Sequence, residues 1–277
     1  MKKIIFTVFF AVFVTAFGEI KDNIGLFSDT QKSEIDSVIE KIEKEKEIKI
    51  YLNTVMGEET FQIENPQKTF IITANAEIAM YARENKSYLE IAKNADIIVP
   101  DGIGIVKGAK ILKQHIPERV PGIELMMDML KYANNNDKKV YFYGAKPETI
   151  EKMAKVLKEQ YKNLNIVGYH HGYNDDSNNE IMNEVIDLEP DYIFVAKGCP
   201  LQDQWIMKVF NNVDKGLFMG VGGSFDVISG NVKRAPYIWQ KLNLEWLYRV
   251  LSNPQRIGRY VALPKFVLEV IKDRRKS

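Results

Sequence analysis

Residues 139–161, KVYFYGAKPETIEKMAKVLKEQY, decide the fold class. Residues 139–143, one valine and three aromatics after a lysine, read as a strand, which stops at Gly144-Ala145. A helix follows over about 147–161. A strand that turns through glycine into a helix is half of a βαβ unit, and the strand that completes such a unit runs parallel to the first.

The alternation continues on both sides. Residues 70–73, 97–99, 165–168, 192–196 and 217–221 read as further strands separated by helical segments. The expected body is an α/β domain over 73–232, with a mainly parallel sheet and flanking helices. No internal repeat or low-complexity linker interrupts it. With 277 residues, 45% apolar and 27% charged, the composition is that of a folded globular chain.

The flanks differ from this body. Lys2 and Lys3 precede an apolar stretch over 4–17, and Ala16-Phe17-Gly18 offers small residues where a signal peptidase cuts, so residues 1–18 read as a signal-like leader. The stretch is short for a membrane span of about 20 residues, which favours a cleaved signal over an anchor. Within 19–72, Ser28 is a candidate N-cap for a helix over about 29–46, and residues 48–55 read as a strand. At the other end, residues 233–277 hold eleven Lys or Arg against three acids, a charge of +8 within a chain of net charge +1. Trp239, Trp246 and several leucines are interleaved with these cations. That pattern suits a helical appendage lying at a lipid surface, or an ordinary helix packed on the core with a solvated basic face. The interleaving favours a bilayer over nucleic acid, for which no recognised motif is present.

Cysteine and histidine usage narrows the chemistry. Cys199 is the one cysteine, and the histidines are His115, His170 and His171, two of them adjacent. Neither a thiolate zinc site nor an i, i+4 histidine pair can be built, and no Asp-x-Asp triplet proposes a divalent ion, so neither metal nor cofactor is expected. Cys199 has no conventional base beside it in sequence and is a poor candidate nucleophile.

In an open α/β sheet, ligands gather at the carboxyl ends of strands. Three loops qualify. Thr73 and Asn75 in TANAE could cap a helix or face a ligand. Asp101 in VPDGIG could cap a helix, or take a proton from an attacking hydroxyl. In GVGGSFD, successive glycines let backbone N–H groups converge on an anion, and Asp226 could hold a base or ribose. The last loop lacks the lysine of a P-loop and the spacing of the dinucleotide fingerprint, which argues against ATP hydrolysis and hydride transfer. Gln202 stands at a helix start, where its amide could bind a sugar hydroxyl or cap the turn.

Seven stretches, TANAEI, VPDGIG, PERVPGIELM, HHGY, GCPLQDQW, MGVGGSFDVISGNVKRAP and LEWLYR…NPQRIGRY, follow one another over about 73–277. In that order they resemble the TagA/WecG/CpsF glycosyltransferases. The resemblance implies a Rossmann-like nucleotide-binding core and an inverting, metal-independent transfer. An N-acetylmannosamine-type sugar would pass from a UDP donor to an undecaprenyl-diphosphate-linked GlcNAc acceptor at the cytoplasmic face of the membrane. The products would be cell-surface polysaccharide or teichoic acid. It implies Asp101 as general base, with Thr73, Asn75, Gln202 and Arg119 around the sugar. It further implies Tyr173, Asp226, Gly144, Gly222 and Gly223 about the nucleotide, and Arg249, Arg256 and Arg259 on the lipid diphosphate. Self-association through the face that the appendage otherwise covers is compatible with it.

Some positions depart from the pattern. Ala74 stands where proline is expected, Cys199 where a small residue such as alanine is, and Leu201 where lysine is common. The N-terminus departs further. Residues 19–72 resemble the opening of TPM-type domains of exported bacterial proteins, whereas UDP-sugars are cytoplasmic. A fusion joined near Thr73 reconciles the two halves. The alternative is an exported, non-catalytic binding module.

Overall fold

The computed structural model describes residues 68–114, 116, 118–173, 179–242, 244–252 and 262–276, except the side chains of 249, 275 and 276, together with the backbone of 19–21 and 51–53. The leader, the helix over 29–46, Arg256 and Arg259 lie outside the described residues, as does the side chain of Arg249. Strands β1 (Glu19–Lys21) and β2 (Tyr51–Asn53) pair with each other in parallel.

The main body begins with β3 (Lys68–Ala74), followed by α1 (Ala76–Glu84), α2 (Lys86–Asn94) and β4 (Ile97–Pro100). Next come α3 (Ile103–Ile111), α4 (Gly122–Asn135), β5 (Lys139–Gly144), α5 (Pro147–Gln160) and β6 (Asn165–His170). The series closes with α6 (Glu180–Leu188), β7 (Tyr192–Ala196), α7 (Leu201–Phe210), β8 (Gly216–Gly220) and α8 (Ser224–Ile228). The sheet has six strands in the order β4-β3-β8-β7-β5-β6, and every neighbouring pair is parallel. All six expected strands are present, shifted by a few residues at their ends.

Both faces of this sheet are covered, which is why its strands read as unbroken apolar runs. Ile71, Val99, Phe142, Phe194 and Met219 point to one side, where Met126, Leu130, Met153, Leu157 and Phe225 come down from α4, α5 and α8. Their neighbours Ile72, Ile98, Tyr143, Val195 and Phe218 point to the other, against Ile78, Tyr88, Val185, Trp205 and Ile206 of α1, α2, α6 and α7. The alternation of successive side chains between two apolar layers is the period of two expected of a strand.

Chain direction then locates a crevice. From β3 the chain leads outward to β4, whereas α8, which follows β8, packs against α5 under the other half of the sheet. Adjacent strands β3 and β8 therefore send their carboxyl-terminal loops apart. Such a switch point is where open α/β sheets bind ligands.

The C-terminal region adds α9 (Tyr237–Lys241), α10 (Glu245–Ser252) and α11 (Ala262–Lys276). Helix α11 docks on the core, burying Phe266 and Val270 against Ala76, Ala79, Met80 and Ile105 of α1 and α3. Arg83 of α1 pins it, with Glu269 at 2.5 Å and Asp273 at 2.7 Å. The opposite face of α11 leaves Leu268 59% exposed. One face of this helix therefore packs on the core, and another presents apolar groups outward. No described helix is long and apolar enough to cross a membrane.

Candidate active site

A cleft of about 240 Å³ opens at the switch point. The loops after β3, β4, β7 and β8 form its floor, and Glu245, Trp246 and Leu263 of the C-terminal region form a wall. Five expected site residues line it together: Thr73, Asn75, Asp101, Arg119 and Gln202. Gly222 and Gly223 line it as well.

Each is held by a local rule. Thr73 is the next-to-last residue of β3, and its buried hydroxyl donates to the carbonyl of Gly220 on neighbouring β8 at 2.9 Å. Asn75 is the N-cap of α1, its Oδ1 accepting the Ile78 N–H at 3.0 Å, so the capping role read from sequence is present in the structure. Gln202 sits in the first turn of α7 and is almost wholly buried. Its Oε1 accepts the N–H groups of Gly198 at 3.2 Å and Gly222 at 3.1 Å, tying the loops after β7 and β8 to each other.

Asp101 follows β4 directly. Its Oδ1 accepts the N–H of Gly122, at the start of α4, at 3.1 Å. Arg119 reaches the same turn, its Nε donating to the Asp101 carbonyl at 2.6 Å. One of its terminal nitrogens lies 3.0 Å from Glu245 Oε2 and 3.9 Å from Asp101 Oδ1. Thus the Asp101 carboxylate, about a third exposed, faces the cleft from a turn fixed on two sides.

Gly144 and Tyr173 sit elsewhere along the carboxyl edge, beyond β7. Gly144 has φ +131°, and a Cβ there would overlap the Ala196 carbonyl, so glycine alone fits this crossing of β5 and β7. The N–H of Gly172 bonds the Ala145 carbonyl at 2.8 Å, which brings the loop bearing Tyr173 to Gly144. The Tyr173 side chain is 71% exposed. Asp226 is in α8 and is not among the cleft-lining residues. Among the described residues no group of three or more His, Cys, Asp or Glu comes together as a metal site.

Two acids were not singled out by sequence. Glu245 lies inside the LEWLYR motif, and its flanking Leu244 and Trp246 gave the only hint that a charge there would be buried. Asp203 follows Gln202 and is fully buried, accepting the Tyr88 hydroxyl at 2.7 Å. Burial pushes its carboxyl up to about 6, against the opposing pull of that hydrogen bond. Cys199 lines the cleft, but burial pushes its thiol up to about 12, the wrong direction for a nucleophile.

The sequence profile of the glycosyl transferase WecG/TagA/CpsF family matches residues 50–277. The chain belongs to that family. The match begins ahead of the join near Thr73 that the motifs alone suggested, and it takes in β2. Relatives from Staphylococcus aureus strains MW2, NCTC 8325 and COL carry the name N-acetylglucosaminyldiphosphoundecaprenol N-acetyl-beta-D-mannosaminyltransferase. Each is 43% identical to this WecG/TagA/CpsF chain over 216 residues, covering 78% of the chain and 85% of its own length.

Proposed function

We propose that this protein transfers N-acetylmannosamine, or a closely related sugar, from a UDP donor to a GlcNAc unit carried on undecaprenyl diphosphate. Asp101 acts as general base. The acceptor hydroxyl attacks the anomeric carbon of the donor sugar as Asp101 takes its proton. The bond from that carbon to the UDP oxygen breaks, UDP leaves with the electron pair, and the configuration inverts.

The observation that carries this reading is the Asp101 carboxylate in the switch-point cleft of a chain 43% identical to named mannosaminyltransferases. A base must reach the hydroxyl it deprotonates, and the Gly122 N–H and Arg119 fix the turn from which Asp101 would do so. Gly222 and Gly223 offer backbone to the donor phosphates, with Asp226 and the Tyr173–Gly144 edge toward the uridine. Arg249, Arg256 and Arg259 clamp the lipid diphosphate, where charge-assisted bonds are strong. Exposed Tyr237, Ile238, Leu242, Leu251 and Leu268, set among lysines, support peripheral attachment to the cytoplasmic leaflet.

The test is sugar transfer from UDP-N-acetylmannosamine to a short-chain lipid-diphosphate-GlcNAc, comparing wild type with Asp101→Asn. Turnover that falls by about 10² or more in the variant is expected of a lost general base. Wild-type protein that binds UDP yet transfers no sugar would overturn the proposed reaction. Full activity in the variant would remove Asp101 from the role.

A further inference from the structure

Three acids interrupt the basic C-terminal segment, and each turns inward to an arginine of the core. Glu269 and Asp273 meet Arg83, and Glu245 meets Arg119. The first two dock a helix. Glu245 does something else, because its arginine is the one that holds Asp101.

The Arg119 guanidinium is divided between two tasks. Its Nε is spent on the Asp101 backbone carbonyl at 2.6 Å, and its terminal nitrogen on Glu245 at 3.0 Å. That same nitrogen remains 3.9 Å from Asp101 Oδ1, which takes the Gly122 N–H instead. Glu245 is nearly buried, so an ionised carboxylate there needs cations. Arg234, itself paired with Glu124, supplies a second one, with its Nε 4.0 Å from Glu245 Oε1. Glu77 and Cys199 are the other ionisable groups along this cleft.

We infer that Glu245 is a positioning residue that holds the Arg119 guanidinium off the Asp101 carboxylate. A bidentate carboxylate–arginine pair is strong, and a base locked into one is a weaker base. With Glu245 in place, Arg119 orients the Asp101 turn through its carbonyl while the carboxylate stays directed at the acceptor. Because Glu245 belongs to the C-terminal region, the base reaches this state when that region is seated against the core.

The inference rests on Asp101 being the base of the proposed reaction, yet its geometric content can be tested without turnover. Aspartate carboxyl carbons are labelled with ¹³C, and Asp101 is assigned by its absence in Asp101→Asn. In Glu245→Gln the Asp101 titration midpoint should fall by about one pH unit as Arg119 closes on it. Glu245→Asp, which retains the charge, should return it toward wild type. In an Arg119→Met background the same Glu245→Gln change should move the midpoint clearly less than it does with Arg119 present, leaving only the direct effect of the lost charge. An unmoved midpoint in Glu245→Gln, or an equal shift without Arg119, would overturn the inference. In the transfer assay, Glu245→Gln should lower kcat about tenfold and move the acidic limb of its pH profile downward, with acceptor KM within about twofold. Loss of activity with an unmoved limb would mark a merely structural role and overturn it. A wild-type protein that transfers no sugar would remove the proposed function, while the titration would still decide what Glu245 does to Asp101.

Discussion

Asn75 and Gly102, just beyond the ends of adjacent parallel strands, pack so closely that no side chain fits on Gly102 without displacing Asn75. A Cβ on Gly102 would lie 2.9 Å from the Cβ of Asn75 and 3.1 Å from its Cα. The Gly102 N–H also bonds the Ala74 carbonyl at 3.2 Å. The helix cap at Asn75 and the turn bearing Asp101 are thereby packed against each other.

Gly102→Ala tests that packing. The residue has φ −91°, open to any amino acid, so the penalty is contact rather than backbone strain. Because the opposing atoms include backbone, we expect a loss of about 1–3 kcal/mol in urea unfolding. We also expect a larger fall in kcat than in donor binding, since the displaced turn carries Asp101. A variant as stable and as active as wild type would show that the two loops yield independently.

Asp203 predicts a pH dependence of stability. Its carboxyl titrates near 6 in the folded protein against 3.8 for an ordinary aspartate, so between those values the folded state holds the extra proton. Stability attributable to this group is therefore highest at low pH and declines as pH rises from about 4 to above 6, by a total of about 3 kcal/mol. Asp203→Asn keeps an acceptor for Tyr88 and removes the titration. Urea midpoints for the two proteins, measured from pH 4 to 7, should diverge in favour of the variant as pH rises. Parallel curves would mean that the buried carboxyl does not ionise in this range.

The exposed apolar groups Ile238 of α9, Leu242 at its C-cap and Leu251 of α10 predict membrane affinity that depends on lipid charge. Replacing Ile238, Leu242 and Leu251 by serine should weaken sedimentation with anionic vesicles by on the order of tenfold or more. None of the three is among the buried core residues, so the thermal midpoint should stay within a few degrees. Unchanged binding to anionic vesicles would assign the attachment to other surfaces.

The six strands are legible in the sequence because each is a short apolar run ended by glycine, proline or a polar turn, and a sheet covered on both faces needs such runs. Asp101, Asn75 and Gln202 stand out because ligand groups in this architecture collect just after strands. The basic character of residues 233–277 is visible as a count of charges. The roles of the three acids within that segment are not. Glu245, Glu269 and Asp273 look like minor interruptions in sequence, and they become core contacts only because α10 and α11 fold back.

By itself the sequence determined the α/β class, the loops that bear chemistry and the side chains they carry, because these follow from local spacing and apolar periodicity. Tertiary structure alone decided the strand order β4-β3-β8-β7-β5-β6, and with it which loops share a cleft. It drew Asp101, Arg119 and Glu245 into one cluster across a wide separation in the chain, and it set Tyr173 and Gly144 at a different part of the edge. Pairing order and long-range ion pairs depend on how whole layers pack, and no short window of residues holds that information.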